Sequence, residues 1–299
     1  MVWQVSKNIL TFLLVLIGIM LILLLPRERE IEVFRPTHQV ADYPFTMELY
    51  KENISQFIDH FQTNNGFGTT KAGTPIMEEI QRFLVRSLKI IIPGFILTML
   101  IGPLIGVLQF YNRKRKRGRV LSFFSWIFSS IPDFFLFISC HYLLLVLMRH
   151  GLPRFNIYSN DDWYSFIIPL VAIMIFPLSH MVKVTSVAME NEMSEEYVRT
   201  VLSKGLTRYK ALVHMVWNCW STIINQSQLV IIYILSSLPI IEKLSNYNGA
   251  GYQLLQSILE DEDVRALAFM LPLLVIVFTV TILSLAMKYW LVPKGVREA

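Results

Sequence analysis

The chain has 299 residues, of which 54% are apolar and 16% are charged, whereas soluble domains average about 25% charged residues. This composition excludes an intrinsically disordered chain, which requires low hydrophobicity, and two cysteines are too few for a disulfide scaffold. The net charge of +5 is compatible with nucleic-acid binding, and the positions of the basic residues along the chain decide whether that function applies. The excess of apolar over charged residues predicts a polytopic membrane protein.

The apolar residues are grouped into stretches of the length that a membrane helix needs, which is about 20 residues for a hydrocarbon core about 30 Å thick. The N-terminal stretch also has the layout of a signal peptide, but no small-residue cleavage site follows it, so an uncleaved span is favoured. The third stretch is longer than a span requires, so it is either tilted or partly broken at Pro132, and polar residues interrupt the fifth. The six predicted spans are 9–25, 88–110, 120–148, 163–187, 218–241 and 266–291.

The basic residues predict the orientation of these spans. Fifteen of the 27 Lys and Arg residues are cytoplasmic if the N-terminus is cytoplasmic, and six of them lie in the short loop 111–119. Because short basic loops resist export, both termini are predicted to be cytoplasmic and the loop 26–82 to be exoplasmic. A basic run between two spans is expected of a topology signal, which removes nucleic acid as a partner and leaves contact with anionic membrane lipid open.

Two exoplasmic loops follow from this topology. Residues 46–61 of the first loop have apolar residues at helical spacing, which predicts a helix in a small cap on the membrane. The second loop, 242–265, carries four consecutive acidic residues, and we favour a solvated loop over a cation site because these side chains do not all face one way. The predicted organisation is a transmembrane helix (1–25), an exoplasmic cap (26–82), a transmembrane domain (83–292) and a cytoplasmic tail (293–299).

The cytoplasmic loop 188–217 is too polar to span a membrane but has the signals of a short helix. Ser194 is predicted to cap its N-terminus, acidic residues follow where the helix dipole favours them, and Gly205 is predicted to end it. A helix of this length has marginal stability in isolation. Its apolar face is therefore expected either to dock on a partner or to pack on the chain's own spans. The residue pattern alone is compatible with docking and with internal packing. The apolar face consists of Tyr197, Val198, Val201 and Leu202.

The sequence of this helix, Glu-Tyr-Val-Arg-Thr-Val-Leu-Ser-Lys-Gly-Leu over 196–206, resembles the EAA motif of ABC-importer permeases of the oligopeptide/dipeptide/nickel family. Further landmarks of the B-type permease subunit occur in the same order along the chain. They are the Gly66–Thr69 segment, the Ser-Ile-Pro-Asp-Phe-Phe segment 130–135, His214 with Asn218, Glu242, the Gly-Ala-Gly segment 249–251 and Pro293-Lys294. The resemblance covers residues 66–296.

The resemblance implies an all-α polytopic membrane protein with six transmembrane helices, in the type I ABC importer permease (MetI-like) fold, in a bacterial plasma membrane. It implies four kinds of partner: a homologous second permease subunit, two cytoplasmic ABC ATPase subunits, an extracytoplasmic substrate-binding protein and membrane lipid. The implied function is to form half of a translocation path for peptides or similar small solutes. Because Val201 and Ser203 depart from the family pattern, a permease-like scaffold or sensor that regulates an ATPase remains the alternative.

The resemblance also implies which residues act. Those of the ATPase-coupling helix are Glu196, Tyr197, Val198, Arg199, Val201, Leu202, Lys204 and Gly205. Polar groups within spans are candidates for the translocation path, and here they are Asp133, Asn225 and Gln228. His141 and His180 lack the spacing of metal ligands and are interpreted as hydrogen-bonded interior histidines, so no metal is expected, and no cofactor either. Phosphate-binding and hydrolase motifs are absent from the sequence, which predicts a non-catalytic subunit.

The second predicted span contains several glycines and prolines. They are Pro93, Gly94, Gly102, Pro103 and Gly106. Small residues allow two membrane helices to approach closely, and prolines can bend a helix that moves. The sequence leaves close packing and a bend both open.

Overall fold

A computed structural model describes most of the chain. The described part leaves out residues 1, 27–29, 36–37, 43–44, 65, 71–72, 154–155, 157–161, 206 and 292–299. It also leaves out the side chains at 2, 4, 30–35, 38–42, 202, 208 and 291. The predicted tail 293–299 therefore lies outside the described residues. The other predicted boundaries, at 25/26 and 82/83, concern the position of the bilayer and stay predictions.

The described residues are mainly helical. The helices are α1 (Val2–Leu23), α2 (Met47–Thr63), α3 (Ile76–Tyr111), α4 (Lys116–Ser130), α5 (Asp133–Arg149), α6 (Ile167–Met193), α7 (Glu196–Ser203), α8 (Arg208–Asn225), α9 (Ser227–Leu244), α10 (Ala250–Leu259) and α11 (Asp263–Leu291). The strands β1 (Glu30–Arg35) and β2 (His38–Asp42) pair antiparallel as a hairpin. The predicted helix in the first loop is confirmed as α2, where the Thr46 hydroxyl accepts a hydrogen bond from the Leu49 amide at 3.2 Å. The hairpin and α10 were not predicted.

Five helices of the described part are long and apolar enough to cross a membrane: α1, α3, α6, α9 and α11. The pair α4 and α5 adds a sixth span if it is counted as one, although its two helices are bent by 106°. The bend falls at Ile131, which has an extended backbone because a residue before proline avoids the helical region. The predicted all-α polytopic fold is confirmed. Of the two alternatives for the third stretch, a tilt or a break at Pro132, the structure has the break.

The predicted fifth span differs from the structure. Residues 218–241 are not one helix, because α8 ends at Asn225 and α9 begins at Ser227. Gln226 separates the two helices, within the polar run that interrupts the predicted span. The apolar helix of membrane-spanning length is α9, Ser227–Leu244.

The chain divides into two compact units. The first comprises Met1–Arg86 and Gly249–Val275, with a core in which Ile80 and Phe83 pack with Phe269. Arg265 lies beside this core, 3.0 Å from Glu79 and 3.3 Å from Glu262. Glu262 is thus paired, so the predicted solvated loop is wrong for this member of the acidic run.

The second unit comprises Ser87–Asn248 and the chain from Ile276 onward, and α6 is its central helix, in contact with α4, α5, α8 and α9. The glycines of α3 face α6. A Cβ at Gly102 would lie 2.5 Å from Cβ of Met181, and one at Gly106 would lie 2.6 Å from Cβ of Thr185 and 2.7 Å from the Val182 oxygen. Close packing therefore accounts for this glycine pair.

We expect Gly106→Ala to destabilise the protein by about 1–3 kcal/mol, because the added methyl group overpacks against the α6 backbone. Gly18→Ala is the matched control, since Gly18 is also helical and nothing lies within 4 Å of its Cβ position. The control should be neutral or slightly stabilising, since alanine favours helices over glycine by about 0.5–1 kcal/mol. The measurement is the thermal unfolding midpoint in detergent micelles, and equal shifts in the two variants would contradict the packing argument.

Candidate coupling site

The predicted cytoplasmic helix is present as α7, Glu196–Ser203. Ser194 does not cap it, contrary to the prediction. The Ser194 hydroxyl instead donates to the Asn191 carbonyl at 2.7 Å, and its helical backbone ends α6. Gly205 has a φ of +75°, which is the left-handed conformation expected of a glycine that ends a helix.

The side chains of α7 differ in burial around the helix. Val198 is only 4% exposed, and Tyr197 and Val201 are half-buried. The side chain of Leu202 lies outside the described part of the structure. For Val198, the alternative that the apolar face packs on the chain's own helices is therefore the correct one, so this residue is not available as the predicted docking anchor.

The outward face of α7 and the turn after it are polar. Of the predicted coupling residues, the exposed ones are Glu196, Arg199, Lys204 and Gly205. A partner that approaches from solvent reaches these residues first. The predicted coupling residues that a partner can reach are therefore the charged ones and the glycine of the turn.

One carboxylate joins α7 to the two neighbouring helices. The Tyr197 hydroxyl donates a hydrogen bond to Oε2 of Glu192, in the last turn of α6. The same oxygen accepts from the Asn218 side-chain amide of α8 at 3.4 Å. We call this set of three residues, Glu192, Tyr197 and Asn218, the Glu192 junction. It fixes the short helix to α6 and to α8 through hydrogen bonds to a charged group, which are stronger than neutral ones.

The junction keeps Tyr197 protonated. Burial raises the pKa of the Tyr197 phenol well above its usual value, and the hydrogen bond to Glu192 raises it further. A tyrosine whose pKa is raised on folding contributes its full stabilisation below its unfolded pKa of about 10. That contribution is lost as the pH rises from there through the folded pKa. Tyr197 therefore keeps the proton that it donates in the junction throughout the physiological pH range.

Sequence reasoning did not identify Glu192. Its partner Asn218 is 26 residues away in sequence, so no helical periodicity connects the two. The available signal was an acidic residue near the C-terminal end of a helix, where the helix dipole disfavours negative charge. Such a residue is expected to have a specific hydrogen-bond donor as its partner.

A cavity of 410 Å³ lies between α6 and α8, and Glu192 forms part of its wall. On the same side, Nε2 of His180 lies 3.1 Å from the side-chain oxygen of Gln226, at the break between α8 and α9. The interpretation of His180 as a hydrogen-bonded interior histidine agrees with this contact.

The candidate path residues lie at helix ends. Asp133 is the first residue of α5, and its carboxylate accepts from the Phe134 amide at 2.8 Å. Asn225 ends α8 and Gln228 lies in the first turn of α9, and both are exposed. No hydrogen bond among the described residues joins Asp133 to either of them. Their role in a path stays a prediction.

Comparison with known families identifies the chain. The sequence profile of the binding-protein-dependent transport system inner membrane component matches residues 88–296, which include α6, α7 and α8. The chain belongs to this family. The predicted family is thereby confirmed, and the family description together with the apolar helices indicates a multi-pass inner-membrane protein.

Relatives in this family are described as permeases. A glutathione transport system permease protein of Salmonella choleraesuis (strain SC-B67) is 26% identical over 194 residues, which are 64% of this chain and 62% of the relative. A putative peptide transport system permease protein of Brucella abortus (strain 2308) is 24% identical over 206 residues, which are 67% of this chain and 64% of the relative. The aligned part of the chain spans less than two thirds of the length of these relatives.

A double-mutant cycle measures the Glu192 junction. We expect Tyr197→Phe and Glu192→Ala to be non-additive by about 1–3 kcal/mol at neutral pH, because each removes the same hydrogen bond to a charged group. The measurement is the free energy of unfolding in detergent micelles. Tyr209→Phe is the matched control, since Tyr209 is 73% exposed on α8, and it should change little. Additive effects would show that the two side chains are not coupled.

Proposed function

We propose that this chain is the permease subunit of an ATP-driven importer for peptides or similar small solutes, and that α7 couples it to a cytoplasmic ATPase. The observation that carries the proposal is an EAA-like helix that is fixed to two neighbouring helices by the Glu192 junction and turns its charged face outward. The family match and the names of the glutathione and peptide permeases support both the transport role and the solute class.

The proposed coupling has two parts. The exposed Arg199 and Lys204 pair with acidic groups on the ATPase, and since exposed ion pairs contribute about 0–1 kcal/mol each, they orient the contact more than they strengthen it. Val198 and Tyr197 transmit the movement, because they hold α7 against its own chain. A displacement of α7 then acts on α6 and α8 through Glu192.

The proposed assembly contains a homologous second permease, two ABC ATPase subunits and an extracytoplasmic substrate-binding protein. ATP hydrolysis takes place on the ATPase subunits, and this chain has no catalytic role. Asp133, Asn225 and Gln228 remain the proposed contacts of the solute at helix ends, where backbone groups are not all paired within the helix. Both termini are proposed to be cytoplasmic.

Uptake of labelled peptides tests the proposed function. Cells that carry the whole transporter should accumulate labelled tripeptides, glutathione among them, and cells that lack only this chain should not. Restoring the chain should restore uptake. Equal accumulation with and without the chain would contradict a transport role, and it would favour the scaffold that regulates an ATPase.

The turn at Gly205 tests the coupling part. We expect Gly205→Val to reduce uptake at least severalfold, because a φ of +75° costs a β-branched residue about 1–2 kcal/mol and the turn would shift α7. Gly205→Asn should retain most uptake, since asparagine tolerates this conformation. Uptake and the amount of ATPase that co-purifies with the permease are both measured.

Gly151→Val is the matched control for this turn. Gly151 also has a positive φ, of +108°, and nothing lies within 4 Å of its Cβ position, but it belongs to a different loop. The control variant should carry similar backbone strain and retain ATPase co-purification. Normal uptake and co-purification in Gly205→Val would contradict coupling through this turn.

A further inference from the structure

The cavity between α6 and α8 is lined by one continuous stripe of α6. His180, Lys183, Val187 and Asn191 recur at intervals of three and four residues, so they lie on one face of the helix. Cys219 and Thr222 of α8 form the facing wall. The cavity volume of 410 Å³ is within the range of about 300–1,000 Å³ that is typical of small-molecule sites.

Lys183 is the unusual member of this stripe. It lies in a helix of membrane-spanning length and composition, ten residues before the helix ends at Met193, which corresponds to about 15 Å along the axis. Its side chain is exposed, and no hydrogen bond or ion pair of its ammonium group occurs among the described residues. An ionisable side chain within a helix of membrane-spanning composition is a candidate functional group.

Among the described residues, no acidic side chain pairs with this ammonium group. Glu192 is the acidic residue in the described wall, and its Oε2 already accepts hydrogen bonds from Tyr197 and Asn218. The amide of Asn191 and the hydroxyl of Thr222 add neutral hydrogen-bonding groups. The wall therefore carries the Lys183 positive charge, neutral donors and acceptors, and a Glu192 carboxylate that is already engaged in the junction; the ammonium group is the part that can recognise a carboxylate.

We propose that this cavity is a station of the translocation path in which the Lys183 ammonium group binds the carboxylate of the passing solute. The inference rests on the proposed transport function and narrows its solute class to compounds with a free carboxylate. Lys183 lines the α6 wall of this cavity and Cys219 the α8 wall, so a solute that enters the cavity can reach the Lys183 ammonium group. Asn191 and Thr222 bind the polar backbone of the same solute.

A pair of matched peptides tests the charge. Cells that carry the whole transporter are given labelled trialanine or labelled trialanine amide, which differ only in the C-terminal carboxylate. The measured quantity is the ratio of the two initial uptake rates, which does not depend on how much permease reaches the membrane. The wild-type protein should favour the free acid. Any preference of the binding protein itself is common to all variants and cancels when their ratios are compared.

We expect Lys183→Gln to lower uptake of trialanine by about tenfold and uptake of its amide less than twofold, because only the acid loses a charge-assisted contact. Lys183→Arg should keep the wild-type ratio. Lys210→Gln is the matched control: it removes the same charge from an exposed lysine of α8 that does not line the cavity, and it should also keep the ratio.

The outcomes separate the two proposals. A wild-type ratio in Lys183→Gln overturns the carboxylate site and leaves the proposed transport function intact, and it is also the result expected if Lys183 contacts lipid. A ratio in Lys183→Arg as low as in Lys183→Gln overturns the role of charge. Failure of the wild-type transporter to take up either peptide contradicts the proposed function, and this inference with it.

Discussion

The close approach of α3 and α6 is the contact on which the rest of the second unit depends. It exists because Gly102 and Gly106 carry no side chain, so the backbone of α3 reaches the Met181 and Thr185 side chains. In a membrane, where burial of apolar surface does not drive helices together, such backbone approach and dense packing supply the association energy. Together with the contacts of α6 to α4, α5, α8 and α9, it constrains the rotation of α6 about its axis.

That rotation decides what the other faces of α6 present. Met181 and Thr185 occupy the face toward α3, so the stripe with His180 and Lys183 is directed to α8 and lines the cavity. The last turn of the same helix brings Glu192 to α7. Packing, the cavity and the coupling helix are therefore three consequences of one helix orientation, and a rotation of α6 would disturb all three at once.

The sequence predicts those parts of the structure that depend on local chemistry. Hydropathy locates the membrane helices, the polar run near Gln226 and Pro132 mark real helix breaks, and Gly205 adopts the left-handed backbone expected of it. Ser194 was predicted wrongly because its hydroxyl has two competing partners, and the carbonyl of the preceding helix is the one it contacts.

The parts that the sequence does not predict depend on distant residues. The Glu192 junction needs Asn218 of another helix, and the pairing of Glu262 needs Arg265 and its contact with Glu79, which is 186 residues away. The burial of Val198 has the same origin, since the apolar face of an amphipathic helix is equally suited to its own chain and to a partner. Only the packing around α7 distinguishes between them.

The burial of Val198 has a consequence for recognition. An eight-residue helix in isolation loses conformational entropy when it is ordered, and a partner that binds it must offset this loss. In this chain the ordering occurs during folding, since Val198 and Tyr197 already hold α7 in place. A partner of α7 therefore meets a preorganised surface. By ordering the helix in advance, Val198 favours binding of a partner that its own side chain does not contact.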